Sequence, residues 1–219
     1  MILALETSTT ICSVAIVENQ TIIAHKLIDE KNIHSEKLLS FIDELLLEAK
    51  LNLSNFKAIA VSAGPGSFTG LRIGMSIAKG ICFAKDIPLI LVPTLDAIAN
   101  EFIRLKNPTS ATTICTIIDA KRDEAYFSFY KIENGSFTRL NRYEIKERIH
   151  IFEEMKSKNA SFLVGDGVEK FLTFDQQNFI ILNDVKLNAI SVGLMAEKNF
   201  EPTEILNAEP IYIRSFQPK

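Results

Sequence analysis

A glycine-rich turn between an apolar strand and an almost uncharged helix constrains this chain more than any other segment. The tripeptide Gly64-Pro65-Gly66 follows the apolar run 58–63 and precedes a helix predicted over residues 68–84. Glycine tolerates a positive φ and proline fixes φ, so the tripeptide predicts a tight reversal. The free N–H groups of the next helical turn suit an anion or a partner's carboxylate. Ordinary turn chemistry explains the same residues and is the more frequent case.

The helix after this turn is apolar around its whole circumference. Arg72 and Lys79 are its only charged residues. Its small residues Gly70, Gly74 and Ala78 recur every four positions and form a flat strip that a second helix could approach. A helix that is apolar on every side has to be covered on every side, either within its own domain or by another protein.

The preceding helix, predicted over residues 34–51, carries an apolar stripe that is wider than the ~100° of an ordinary surface helix. Two adjacent helices with surplus apolar surface favour a helical association surface over a helix enclosed in its own domain. The predicted members of this surface are His34, Leu38, Leu39, Phe41, Ile42, Leu46, Gly70, Leu71, Arg72, Gly74, Met75, Ala78 and Lys79. Arg72 is expected either to face a carboxylate of the partner, which is the favoured interpretation, or to cap carbonyl groups at the edge of the sheet.

Charge and cysteine usage exclude several classes of protein. The net charge is −3 at pH 7 with lysine and arginine spread along the chain, so strong autonomous binding to nucleic acid is not expected. The three cysteines are widely spaced in apolar segments, which favours reduced thiols. The N-terminus lacks the basic region of a signal peptide, and no apolar run reaches the ~20 residues that cross a bilayer. We therefore expect a soluble cytoplasmic protein without membrane contact.

The order of the predicted elements repeats along the chain. The first half reads as strands at 2–7, 12–18 and 21–28, a helix at 34–51, a strand at 58–63, a helix at 68–84, a strand at 89–92 and a helix at 95–104. After the polar segment 106–110, strands at 113–119, 124–132 and 137–143, a helix at 149–158 and a strand at 161–164 repeat its opening. This duplication predicts an α/β fold with two lobes, residues 1–106 and 107–219. A helix at 189–198 and a short extended piece at 211–213 are expected to follow.

These segments resemble known proteins at two levels. The duplicated βββαβ core resembles the two-lobed actin, hexokinase and Hsp70 class, in which a phosphate-binding hairpin follows the first strand of each half. More narrowly, the chain resembles the TsaB (YeaZ) family in its ordered motifs and its ending. The matching segments are Ile2–Ser8 with Cys12–Ala15, His34-Ser35, Ala63–Gly74, Ile118–Tyr126 and Glu209–Arg214.

The TsaB resemblance implies a non-catalytic scaffold or activator subunit. It would bind TsaD and, with TsaE, help to transfer the threonylcarbamoyl group to the adenosine beside the tRNA anticodon, with tRNA contacted indirectly through the complex. The two N-terminal helices would form the partner surface, and a homodimer is expected when TsaD is absent. No catalytic residue and no metal site are expected, because Thr94 and Ile98 occupy the positions that carry a histidine pair in TsaD.

Nucleotide binding is the open question for this chain. The class resemblance places Glu6, Thr7, Ser8, Gly64, Gly66, Asp119 and Arg122 at a candidate nucleotide cleft. Glu6 replaces the more usual aspartate, so we expect no tightly bound cofactor in the chain alone, with ATP or ADP and magnesium entering only in the complex. The alternative is an independent ATP-dependent kinase or hydrolase that uses Glu6 and Asp119. A peptidase is disfavoured, because the sequence offers neither a set of metal ligands nor an activated nucleophile.

Overall fold

The structure is a computed structural model that describes residues 1–177 and 179–213. Its strands are β1 (Ile2–Glu6), β2 (Ile11–Glu18), β3 (Thr21–Asp29), β4 (Ala58–Gly64), β5 (Leu89–Pro93), β6 (Thr112–Asp119), β7 (Glu124–Glu133), β8 (Ser136–Arg139), β9 (Glu144–Glu147), β10 (Phe162–Gly165), β11 (Ile180–Leu182) and β12 (Pro202–Thr203). Its helices are α1 (His34–Ala49), α2 (Phe68–Lys85), α3 (Thr94–Lys106), α4 (Arg148–Ser157) and α5 (Ala189–Lys198), with short 3₁₀ helices at Leu53–Asn55 and Val168–Phe171.

The first unit combines Met1–Thr94 with Asn188–Ile211 around a sheet ordered β12-β5-β4-β1-β2-β3. Strands β1, β4 and β5 run parallel, whereas β1, β2 and β3 are antiparallel neighbours. Leu3 and Leu5 point to one face, where α1 and α2 cover them in a common core. Ala4 alternates to the other face and lies against Gly193 of α5. Strands β1, β2 and β4 are therefore covered on both faces, which explains their largely apolar sequences, whereas the edge strand β3 is mostly exposed.

The second unit spans Leu95–Leu187 with the described residues Tyr212 and Ile213. Its sheet is ordered β11-β10-β6-β7-β8, and β9 also pairs with β7. Helix α4 packs on one face with the aromatic side chains of β7. The Tyr130 hydroxyl donates a 2.6 Å hydrogen bond to Asp96 of α3, and the rings of Phe102 and Phe162 lie 5.3 Å apart. The order β11-β10-β6-β7-β8 repeats β5-β4-β1-β2-β3 of the first unit, so the predicted duplication is confirmed.

The strand predicted over 137–143 was wrong at its end, because β8 ends at Arg139 and the next strand, β9, begins only at Glu144. Leu140 N–H still donates to the Phe129 carbonyl at 2.8 Å, but the Phe129 N–H donates to Oδ1 of Asn141 at 2.7 Å. A side-chain acceptor thus replaces the backbone partner, and pairing with β7 resumes only at Glu144. The short strands β11 and β12 were not predicted. The piece expected at 211–213 is not a strand, although Ile211 N–H donates to the Ala63 carbonyl at 2.7 Å.

The two units differ from the predicted lobes, 1–106 and 107–219, in the places of two helices. Helix α3 belongs with the second unit from Leu95 onward, and α5 belongs with the first unit. The reason is packing, since α5 lies on β1 and β2 although it follows the whole second sheet in sequence. The first unit is therefore made of two separate stretches of chain.

Within residues 1–177 and 179–213, none of the helices has both the length and the apolar content that a membrane span requires.

Candidate functional site

The turn after β1 is held by its own polar groups. Ser8 donates from its backbone N–H and from its hydroxyl to Oε1 of Glu6, each at 2.6 Å. The Thr7 hydroxyl donates to the Gly70 carbonyl at 2.8 Å, and the Ser67 N–H donates to the Ser8 carbonyl at 2.7 Å. The groups that would face a phosphate in the wider class are thus bonded within the chain.

The turn after β1 packs against three glycines, and the absence of side chains at these glycines provides the space that the turn occupies. A Cβ atom on Gly66 would lie 2.4 Å from the Ser8 carbonyl oxygen, and one on Gly70 would lie 2.0 Å from the Thr7 carbonyl oxygen. On Gly74 it would lie 2.4 Å from Oγ1 of Thr7. The strip predicted to receive a partner's helix therefore receives the chain's own β1 turn. This correction explains the glycine spacing without a second protein.

The candidate cleft residues of the first unit are enclosed. Glu6, Thr7 and Ser8 are buried, so none of these side chains is open to a nucleotide in this arrangement. Gly64 has φ +105°, and a Cβ there would lie 2.8 Å from the Ile211 carbonyl oxygen. Glycine is needed at this position both for its backbone angle and for the close approach of the chain.

The second unit carries the other candidate cleft residues at the end of β6 and in the loop that follows it. Lys170 donates to Oδ1 of Asp119 at 2.6 Å, and Lys121 reaches Oδ2 at 3.2 Å. Burial acts to raise the pKa of Asp119, but these two lysines outweigh it and leave the pKa lowered. A Cβ on Gly167 would lie 2.9 Å from that of Asp119. The side chain of Arg122 is exposed, and its backbone lies in the left-handed region with a φ of 51°.

Much of the predicted association surface lies in the core instead. Buried positions among its predicted members are His34, Leu38, Ile42, Leu46, Gly70, Leu71, Gly74, Met75 and Ala78. Nε2 of His34 lies 3.2 Å from the Ile11 carbonyl oxygen, which gives the imidazole a partner inside the unit. These residues pack in the core beneath α1 and α2, so the prediction that they contact a partner directly is corrected.

Both helices nevertheless expose single large apolar side chains, which lie among charged residues on α1 and on an almost uncharged surface on α2. On α1, Leu39 is 54% exposed and Leu47 is 80% exposed. On α2, Phe83 is 78% exposed, Arg72 is exposed and Lys79 is half-buried, whereas Phe41 of α1 is also half-buried. Phe83 and Leu47 were absent from the predicted set because each lies off the main stripe of its helix. The available signal was the size of Phe83 on a charge-poor helix and of Leu47 outside the apolar stripe of its own helix.

A groove of about 520 Å³ runs along α2 beside the start of α1, and we call it the α2 groove. Its lining residues are Ser35, Phe68, Thr69, Arg72, Ile73, Ser76 and Ile77. The Arg72 guanidinium lies 3.9 Å from the centroid of the Phe68 ring, a cation–π contact that spreads both side chains over the surface. The groove thus offers an apolar floor with one cationic wall.

The duplicated sheets, each with three antiparallel strands followed by parallel strands, place the chain in the α/β class of actin and hexokinase. Within that class, the TsaD family model, described as tRNA N6-adenosine threonylcarbamoyltransferase, matches residues 21–161. The TsaB proteins of Haemophilus influenzae and Escherichia coli are 32% and 31% identical to it, and each alignment covers 98% of this chain and 93% or 94% of the relative. YeaZ from Pseudomonas aeruginosa superposes with a TM-score of 0.81 at 28% identity, covering 96% of this chain and 98% of that one. The chain belongs to the TsaB (YeaZ) family.

Proposed function

We propose that this chain acts in the biosynthesis of threonylcarbamoyladenosine in tRNA, as an accessory subunit that binds TsaD and works with TsaE. The relatives' name, tRNA threonylcarbamoyladenosine biosynthesis protein, supports the process. The observation that carries the accessory role is the apolar α2 groove, together with the exposed apolar side chains of α1 and α2. An apolar patch on an otherwise charged surface is typical of a protein-binding site.

The chemistry of the groove indicates what a partner would present. Ile73 and Ile77 offer apolar contact, so the complementary surface would be an apolar helix face or loop. Arg72 would pair with a carboxylate of that surface, while its stacking on Phe68 limits the side-chain entropy lost on binding. In the absence of TsaD, the same groove would favour a homodimer, which size-exclusion chromatography of the pure chain would detect.

An accessory role also agrees with the state of the cleft residues. Glu6, Thr7 and Ser8 are enclosed and bonded to one another or to α2, and Asp119 is paired with two lysines. In the proposed function, these residues maintain the fold of this chain. Catalysis and cofactor binding take place in the complex with TsaD and TsaE. From the family membership we infer that this chain functions in the cytoplasm.

The process is tested by complementation. In a bacterium depleted of its own TsaB, expression of this chain together with TsaD of the same origin is expected to restore threonylcarbamoyladenosine, measured by mass spectrometry of digested tRNA. Co-purification of tagged TsaD with this chain tests the interaction itself. Unrestored nucleoside despite normal expression of both proteins would contradict the proposed process, and failure to co-purify would contradict the accessory role.

Calorimetry separates this function from the kinase or hydrolase alternative. Titration of the isolated chain with Mg-ATP is expected to give no saturable heat at micromolar concentrations. The reason is that the turn after β1, where the wider class binds phosphate, is buried and packs closely on α2. Saturable micromolar binding accompanied by release of phosphate would favour the enzyme. The structure offers no specific observation in favour of that alternative.

A further inference from the structure

The carboxyl group of Glu6 is buried and has few hydrogen-bond partners in the surrounding protein. Oε1 accepts two hydrogen bonds from Ser8, but Oε2 makes none of normal geometry with the described chain. The Ser62 hydroxyl is close enough to influence the ionisation of Glu6, yet it also lacks a hydrogen bond of normal geometry. Two buried polar atoms without partners are unusual and call for a physical explanation.

The strand register explains why these atoms lie together. Leu5 of β1 pairs with Val61 of parallel β4, which sets Glu6 beside Ser62 on the face opposite α2. On its other side, Glu6 pairs with Ser13 of β2, whose hydroxyl accepts a 2.8 Å hydrogen bond from the Ala189 N–H at the start of α5. Glu6 is thus flanked by two hydroxyls in a closed layer between the sheet and α5.

We propose that Glu6 is a proton-binding site of the folded protein, and that its ionisation is coupled to the packing of the start of α2. In the neutral state, Oε2–H would donate to the Ser62 hydroxyl while Oε1 keeps both bonds from Ser8. Loss of the proton places a negative charge in the closed layer, which is unfavourable without a cation. Burial correspondingly raises the pKa of Glu6 to about 7, against the opposing effects of the Ser62 and Ser8 hydroxyls.

The ionisable groups on the surrounding elements do not provide such a cation nearby. Strands β4 and β5 carry no ionisable side chain, and β2 carries Cys12 and Glu18. The ionisable residues of α5 are Glu197 and Lys198 in its last turn, and those of α2 are Arg72, Lys79, Cys82 and Lys85. The Cys12 thiol has its pKa raised by burial and by the charge of Glu6, so these two groups disfavour each other's ionised forms. The proton is the simplest counter-charge for Glu6.

Coupling to α2 follows from the hydrogen bonds of Ser8. Its N–H and hydroxyl bind Glu6, while its carbonyl accepts from Ser67, the residue before α2. Gly66 lies so close to Ser8 that the turn has little room to shift independently. A negative charge on Glu6 would therefore strengthen the hydrogen bonds that it accepts from Ser8. This would alter the geometry of the hydrogen bond from the Ser67 N–H to the Ser8 carbonyl.

The first test is the pH dependence of stability. Because the pKa of Glu6 in the folded state is raised from its ordinary value of 4.5 to about 7, the folded chain binds more protons than the unfolded chain. The contribution of Glu6 to stability is therefore greatest at low pH and is lost as the pH rises toward 7. From pH 5 to pH 8 the folding equilibrium constant is expected to fall about 50- to 100-fold more in the wild type than in Glu6→Gln. The exposed Glu30→Gln variant is the matched control and should follow the wild type. Equal pH profiles for the wild type and Glu6→Gln would overturn the proposal.

The second test is direct and does not depend on any variant folding. In a ¹³C-edited NMR titration of the wild-type chain, the side-chain carboxyl of Glu6 is expected to titrate with a midpoint near 7, and the amides of Gly66, Ser67 and Gly70 should move with the same midpoint. A midpoint near 4.5 would refute the proton site. Amides that stay unchanged through that transition would refute the coupling. Neither result bears on TsaD binding, so the proposed function is tested separately.

Discussion

The Gly70→Ala variant is expected to lose a substantial part of its native stability. The added methyl would lie 2.0 Å from the Thr7 carbonyl oxygen, and the obstacle is backbone rather than a side chain that could rotate away. Relief would require α2 to move from the β1 turn and would break the 2.8 Å bond from the Thr7 hydroxyl to the Gly70 carbonyl. Overpacking of this kind costs about 3 kcal/mol or more, and a loss of that size lowers the Tm of a chain of this length by roughly 10 °C.

Gly80→Ala is the matched control within the same helix. A Cβ at Gly80 meets nothing within 4 Å, so the substitution adds helix propensity without a clash. It is expected to leave the Tm unchanged or to raise the free energy of unfolding by up to about 1 kcal/mol. Thermal and urea unfolding followed by circular dichroism would compare the two variants. Equal stability of Gly70→Ala and Gly80→Ala would show that the β1 turn does not pack on α2 as described.

Ser76→Arg is expected to abolish binding to TsaD without unfolding the chain. Ser76 is exposed and lines the α2 groove, so an arginine there would fill the groove and set a second cation near Arg72. Blocking the centre of a protein interface commonly costs about 2 kcal/mol or more, which weakens binding at least ~30-fold. Binding is to be measured by calorimetry or biolayer interferometry with TsaD of the same origin.

The control for this variant is Leu206→Arg. Leu206 is 81% exposed in the same unit but lies outside α1 and α2, so the added charge should leave binding unchanged. Both variants should unfold at the wild-type temperature. If Ser76→Arg binds TsaD as well as Leu206→Arg does, the α2 groove is not the docking site. Met75 would be a poor choice for this test, because it is buried and a charge there would disrupt the core.

The sequence was sufficient to predict most of the elements and their duplication, because those depend on local periodicity. Strands β1, β2, β4 and β5 are largely apolar segments bounded by turn residues, and the order of the opening elements returns in β6, β7, β8 and β10. The glycine turn was also recognised. Its packing partner was not, because glycines spaced by four residues are compatible with a partner's helix or with the chain's own β1 turn. Only the three-dimensional position of Thr7 distinguishes the two.

The sequence did not distinguish the buried face of α1 and α2 from the exposed one. Periodicity marks Leu38, Ile42 and Met75 as apolar, yet it does not state which neighbour covers them, and the first sheet does. The exposed side chains, such as Leu47 and Phe83, interrupt the pattern and carry less weight in a periodicity argument. The place of α5 was unpredictable for a similar reason, since contacts across more than 170 residues leave no local trace.

The split composition of the first unit has a consequence during synthesis. Helix α5 covers Ala4 on one face of the first sheet, but that helix leaves the ribosome only after Leu95–Leu187 of the second unit have been translated. A nascent chain that ends before residue 188 therefore displays strand surface that the finished protein conceals. Such an intermediate is a natural client for chaperones, and its exposure time is set by the speed at which about ninety intervening residues are made.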